Sequence, residues 1–160
     1  ALVVVQLDEQ AAFAVVREHR WIEHVDVAAE AIGQRVAESP AHARFPLQLL
    51  SCKTRDRIHS QFGNLDWVQG VERPHVLDIH PDDARARGIT DGERAAVWNE
   101  RGRIELAARV TPGIRPGVVH VLEGLCHAGD PDVNALTAEG MTDMNHGATF
   151  YECLVEVARV

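Results

Sequence analysis

The chain has 160 residues, 46% of them hydrophobic and 25% charged, with 12 Gly and 7 Pro. That length and balance describe one globular domain with a small appendage, and exclude a disordered, collagenous or disulfide-stapled chain. Sixteen Lys and Arg against 24 Asp and Glu give a net charge of -8, which argues against a nucleic-acid or anionic-membrane surface, because such surfaces work through a broad basic footprint.

The apolar run Leu2-Val3-Val4-Val5 falls far short of the roughly 20 residues of a membrane-spanning helix, and no basic segment leads into a long apolar one. A soluble chain without membrane insertion is expected. Ala1 in place of Met points to a chain processed or excised from a longer one. From residue 8 to about 39, Phe13, Val16, Ile22, Val25, Ala29, Ile32 and Val36 recur at helical spacing and predict one or two amphipathic helices. Ser39-Pro40 ends this pattern and residues 40–44 read as a linker, so the expected division is a helical segment at 1–44 and a second unit at 45–160.

Short strand-like runs follow at 45–50, 75–79, Arg94–Trp98, Arg103–Val110, Val118–Leu122 and 150–157. Residues 80–88 carry a proline and acids at the start, arginines near the end and a glycine just beyond, the marks of a short helix whose charges suit its dipole. Glu100-Arg101-Gly102 reads as a hairpin turn. In the run after it, Ile104, Leu106, Ala108 and Val110 fall on one face and Arg103, Glu105 and Arg109 on the other. Six strands with a single small helix predict a closed barrel, since a parallel α/β fold needs a helix after nearly every strand.

The densest polar stretch is 51–61, where Lys53, Arg55 and Arg57 outnumber Asp56 beside Ser51, Thr54, His59, Ser60 and Gln61. Guanidinium forks, hydroxyls and backbone amides at a strand end suit a pyrophosphate; a solvated charged loop is the competing reading. Asn134-Ala135-Leu136-Thr137, with Asp143, Asn145 and His146, lies in a long connection and offers amides that donate and accept together, as a heterocycle edge requires, or else forms a capped turn. Trp67, between Gly63 and Gly70, is the tryptophan placed near a ligand.

Other chemistry loses ground. His75 and His80, and His19 and His24, are five apart and do not share a face; Cys126, His127 and His120 lack the tight spacing of a zinc site. Adjacent His59 and Ser60 seldom meet the geometry of base and nucleophile. No GxSxG, GxGxxG or GxxxxGK[ST] occurs. Cys52, Cys126 and Cys153 are odd in number and far apart, which points to a reducing compartment.

Eight elements taken in order resemble a known family: 45–51 (FPLQLLS), 55–61 (RDRIHSQ), 78–84 (DIHPDDA), 88–92 (GITDG), 99–102 (NERG), 115–119 (RPGVV), 134–137 (NALT) and 154–157 (LVEV). Together they are similar to the C-terminal molybdopterin-dinucleotide-binding domain of the dimethyl sulfoxide reductase family of molybdenum and tungsten oxidoreductases. The resemblance implies a mainly β fold, a six-stranded double-psi β-barrel with a few short helices, preceded here by the N-terminal helical segment. It implies molybdopterin guanine dinucleotide as cofactor, with molybdenum or tungsten bound through it. Carried over residue by residue, the cofactor-binding set is Ser51, Thr54, Arg55, His59, Ser60 and Gln61 after the first strand, Asn134 in the late connection, and Phe150 and Tyr151 entering the last strand.

The resemblance further implies that the metal's protein ligand, any iron-sulfur cluster and most of the substrate site belong elsewhere in a parent enzyme. The expected partners are then its remaining domains or subunits, and this chain is not catalytic alone. The expected location is the cytoplasm, or the periplasm if the parent is exported. A double-psi barrel serving as a protein-interaction domain without cofactor is the alternative, as in the substrate-binding domains of some AAA unfoldases. A small self-contained enzyme of the aspartate-decarboxylase barrel type loses support because no Gly-Ser pair is present.

Overall fold

The computed structural model describes residues 39–72, 74–124, 132–141 and 153–160. The helices expected before residue 39 lie outside these, as do Cys126, His127, Asp143, Asn145, His146, Phe150 and Tyr151. Six strands are described: β1 (Leu47–Cys52), β2 (Val76–Ile79), β3 (Arg94–Trp98), β4 (Arg103–Val110), β5 (Val118–Leu122) and β6 (Cys153–Arg159). They close into a barrel in the order β1-β5-β2-β4-β3-β6.

The pairing has an internal symmetry. β1 runs parallel to β5 and β2 parallel to β4, while β1/β6, β2/β5, β3/β4 and β3/β6 are antiparallel. Exchanging β1-β2-β3 with β4-β5-β6 maps this set of pairings onto itself. Each half opens a gap between its first two strands and the other half fills it: β5 sits between β1 and β2, and β2 sits between β4 and β5. Two interlocked loops of this kind are the double-psi barrel that the family resemblance implies.

The barrel is filled by one face of each strand. Leu49, Leu77, Ile79, Val97, Leu106, Val119, Val121, Val155 and Val157 all belong to the principal core. Full burial of one such side chain contributes about 1.5–3 kcal/mol. β4 shows the expected alternation, with Ile104, Leu106 and Ala108 buried and Val110 packed against the core's margin. β1 is covered on both faces: Leu47 and Leu49 face the core, while Leu50 and half-buried Cys52 pack outside with Val118 and Ile114. An apolar strand without alternation is what such double coverage requires.

The short elements close the ends. Residues 40–44, expected as a linker, contain a 3-10 turn, Pro40–Ala43, capped by the Ser39 hydroxyl and seated near Phe45, Leu154 and Trp98. α1 (Asp66–Gln69) is a single turn inside the stretch read as a glycine-flanked loop, held by fully buried Val68. α2 (Pro81–Ala86) stands where the capping signals put it, its first-turn amide at Asp82 accepted by the His80 ring. A second 3-10 turn, Val133–Ala135, is capped by Asp132.

Registers fix which connections share an end. Cys52 lies beside Leu122, Leu49 beside Cys153 and Trp98 beside Arg103. Asp78 pairs with His120, which brings the entrance of β2 to the exit of β5. One end therefore gathers the β1–β2 connection (53–75), the β3–β4 hairpin (99–102) and the long β5–β6 connection (123–152). The opposite end holds α2 and the β4–β5 connection.

Candidate functional site

The sequence-predicted residues that are described all belong to the first of these ends. Ser51 is buried on the last interior-facing position of β1, and Thr54 is half-buried, its hydroxyl accepting from the Asp56 amide. Arg55, His59, Ser60 and Gln61 are exposed, and so is Asn134 on the second 3-10 turn. The Arg55 side chain is 96% exposed and its ion pair, with Asp56, spans 3.6 Å. Its guanidinium thus remains open to a ligand. No hydrogen bond given by the described residues joins Asn134 to the 53–61 loop; topology brings them to one end without direct contact.

The loop turns back on itself at 58–61, where the Gln61 amide donates to the Ile58 carbonyl over 2.8 Å. His59 has φ 52 there, in the left-handed region that side chains seldom adopt. Its ring is held from both sides: Lys53 Nζ lies 3.0 Å from Nε2, and Nδ1 lies 3.0 Å from Glu123 Oε1. An ammonium can only donate, so Nε2 is the acceptor in the contact with Lys53.

Arg57 departs from the sequence reading. By composition it counts with the groups that make this loop positive, yet its side chain is only 1% exposed and paired with Glu72 at 2.5 Å. It also donates to the carbonyls of His59, Glu123 and Gly124. Its charge is spent internally, and Lys53 and Arg55 are the loop's outward cations.

Asn99 joins the second half of the rim. Its buried amide donates to the Leu136 carbonyl (2.8 Å) and the Leu154 carbonyl (3.2 Å), while its oxygen accepts from the Arg101 amide (2.9 Å) and the Gly102 amide (3.3 Å). One side chain thereby links the hairpin turn, the 3-10 turn bearing Asn134 and the start of β6. Gly102 permits the approach, because a Cβ there would meet the Ala135 carbonyl oxygen at 2.6 Å. Cys153 is buried beneath, its thiol donating to Leu136 and pushed up in pKa by burial, which suits packing and not reactivity.

A second polar cluster lies on the outer wall. Asp78 on β2 faces Arg109 on β4 and His120 on β5. Arg109 Nε and Nη2 reach the two carboxylate oxygens at 2.5 and 2.7 Å, and His120 Nδ1 lies 2.9 Å from Oδ2. Burial pushes the Asp78 carboxyl upward, but His120 and Arg109 together outweigh it and hold it below 3.8. Burial likewise opposes a charged His120; the hydrogen bonds and charges of Asp78 and Cys52 prevail and bring it up to about 9. Sequence reasoning missed this cluster, whose only signal is the register of three strands. No group of three or more metal-ligating side chains forms among the described residues.

A double-psi barrel with one end bearing open guanidinium, hydroxyl, imidazole and amide groups defines a ligand-holding module. Residues 47–154 match the family described as the Molydopterin dinucleotide binding domain. The chain belongs to that family, as it occurs in the dimethyl sulfoxide reductases. It is 33% identical over 132 residues to the dimethyl sulfoxide reductase DmsA of Escherichia coli, covering 77% of this chain and 16% of the relative. It is 32% identical over 133 residues to the dimethyl sulfoxide/trimethylamine N-oxide reductase of Rhodobacter capsulatus, covering 73% and 16%. The chain thus spans about a sixth of the length of these relatives. Among solved structures, acetylene hydratase from Pelobacter acetylenicus superposes with a TM-score of 0.64 at 17% identity, over 79% of this chain and 20% of that one, a likeness of fold.

Proposed function

We propose that this chain holds molybdopterin guanine dinucleotide at the end of the barrel formed by the 53–75, 99–102 and 123–152 connections. The observation that carries the reading is the conjunction of an exposed, loosely paired guanidinium, Arg55, with the His59-Ser60-Gln61 turn on the barrel end of a dinucleotide-binding family. The donor set fits the cofactor: Arg55, Lys53 and Ser60 suit phosphate oxygens, and the Gln61 and Asn134 amides suit a heterocycle that both donates and accepts. Buried Ser51 and half-buried Thr54 at the exit of β1 belong to the proposed set, which Phe150 and Tyr151 on the approach to β6 complete.

When bound, the cofactor supplies the molybdenum or tungsten ion and its redox chemistry. The chain's own residues bind and orient: Lys53 and Glu123 flank the His59 ring, and Asn99 holds the Asn134 turn against the hairpin. The parent is read as an oxidoreductase of the cytoplasm, or of the periplasm if exported, whose remaining domains or subunits provide the metal's protein ligand, the substrate site and any iron-sulfur cluster. Exposed Ile58, Phe62, Trp67 and Val71 on the 53–75 connection support a protein neighbour there. The test is an intact parent enzyme carrying Arg55→Ala with His59→Ala, assayed on purification for molybdenum and for guanine released by acid. Both are expected to fall; full retention of both overturns the reading.

A further inference from the structure

One of the guanidinium groups that sequence counting places in the positive loop, that of Arg57, is used by the fold for itself. Arg57 offers five N–H donors in a fixed plane. They go to the Glu72 carboxylate and to three carbonyls, His59 within its own loop and Glu123 and Gly124 at the exit of β5. The site is shaped around it. A Cβ on Gly124 would stand 2.5 Å from Arg57 Nη1 and 2.5 Å from the His59 carbonyl carbon, and Gly124 has φ +71. The same junction holds the His59 ring, through the Glu123 carboxylate, and His59 carries the left-handed backbone of the turn. Glu72 pairs with the buried guanidinium, so Arg57 is not an outward cation open to a phosphate. What it sets is the shape of the loop and its seating on the adjacent connection.

We propose that Arg57 is a positioning residue for the cofactor: by clamping His59 to the Glu123-Gly124 exit of β5, it holds the His59-Ser60-Gln61 turn in the one arrangement that presents its groups to the dinucleotide. This rests on the reading of the rim given above. Lysine keeps the charge but has one nitrogen, and it cannot span Glu72 and three carbonyls at once.

The test uses the intact parent enzyme with Arg57→Lys, beside His59→Ala and a core variant, Leu106→Val or Leu106→Ala, chosen to match the loss of melting temperature in Arg57→Lys. Guanine and molybdenum content are measured on each, together with amide hydrogen exchange of the 58–63 and 94–110 segments. Arg57→Lys is expected to lose roughly tenfold in bound guanine relative to the stability-matched core variant, the scale of hydrogen bonds lost to a charged group. Exchange is expected to quicken in 58–63 and to stay unchanged in 94–110. Bound guanine equal to that of the matched core variant overturns the proposal. If His59→Ala also keeps its full guanine, the reading of the rim falls and the proposal with it; if His59→Ala loses guanine and Arg57→Lys does not, the positioning role alone is overturned. Should Arg57→Lys not fold, Gly124→Ala breaks the junction from the other side and carries the same expectation and the same refutation.

Discussion

Raising the pH should weaken this barrel through one side chain on its wall. His120 in the folded chain is brought up to about 9 from 6.5, because Asp78, itself forked by Arg109, and Cys52 outweigh the penalty of burying a charge. The native state therefore binds this proton more tightly than the unfolded chain does. The resulting stability is whole below 6.5, declines as pH rises from there to about 9, and is gone above. At about 1.4 kcal/mol per pH unit the interval corresponds to ~3 kcal/mol. Asp78 works in the opposite sense: held below 3.8, its contribution is present above that value and is lost as pH falls through its lowered one. The assay is urea unfolding at several pH values between ~6 and ~10, comparing the natural chain with His120→Gln, in which other titrating groups cancel. The difference between the two should shrink by most of that amount across the range. A difference independent of pH refutes the reasoning, because the imidazolium then contributes nothing that a neutral amide does not.

The remaining expectations concern the rim and the core. Asn99→Ala removes the donor to the Leu154 carbonyl and the acceptor of two turn amides, while the Leu136 carbonyl keeps Arg101 Nε and the Cys153 thiol; about 2–3 kcal/mol should be lost in denaturant unfolding, with a fall in bound guanine in the parent enzyme. Arg55→Ala removes a side chain that is 96% exposed and loosely paired, so thermal melting should be unchanged while cofactor content drops; a shifted melting point would show that Arg55 is structural. Leu77→Ala empties a fully buried site between β4 and β5 and should cost about 2–5 kcal/mol in the same unfolding assay.

Much of the barrel is readable residue by residue. β3, β4 and β5 fall at Arg94–Trp98, Arg103–Val110 and Val118–Leu122, as their alternation and turn residues indicate. β1 lies two residues later than the apolar run suggests, because Phe45 is bonded back to Ala41 and packs on Leu154 before the ladder begins. α1 is not legible: four residues are too few for a helical period, and only the burial of Val68 marks it. The site divides along the same line. Chemistry carried by local composition, the Arg55 to Gln61 turn, can be seen in the sequence. Roles set by distant partners cannot, and Arg57 shows why: the carbonyls it grips at Glu123 and Gly124 are 66 and 67 residues further along. The Asp78, Arg109 and His120 cluster needs three strands in register before it exists at all.

The interlocking of the two halves bears on when a nascent chain can grip its cofactor. Because β5 is wedged between β1 and β2, and because Arg57 closes on carbonyls at its exit, β1 and the loop after it cannot take up their final shape until the chain as far as residue 124 is there to pair with them. Neither half is a folding unit, and non-local pairing of this kind forms slowly. The rim proposed to receive the dinucleotide is therefore complete only once strands of both halves have paired.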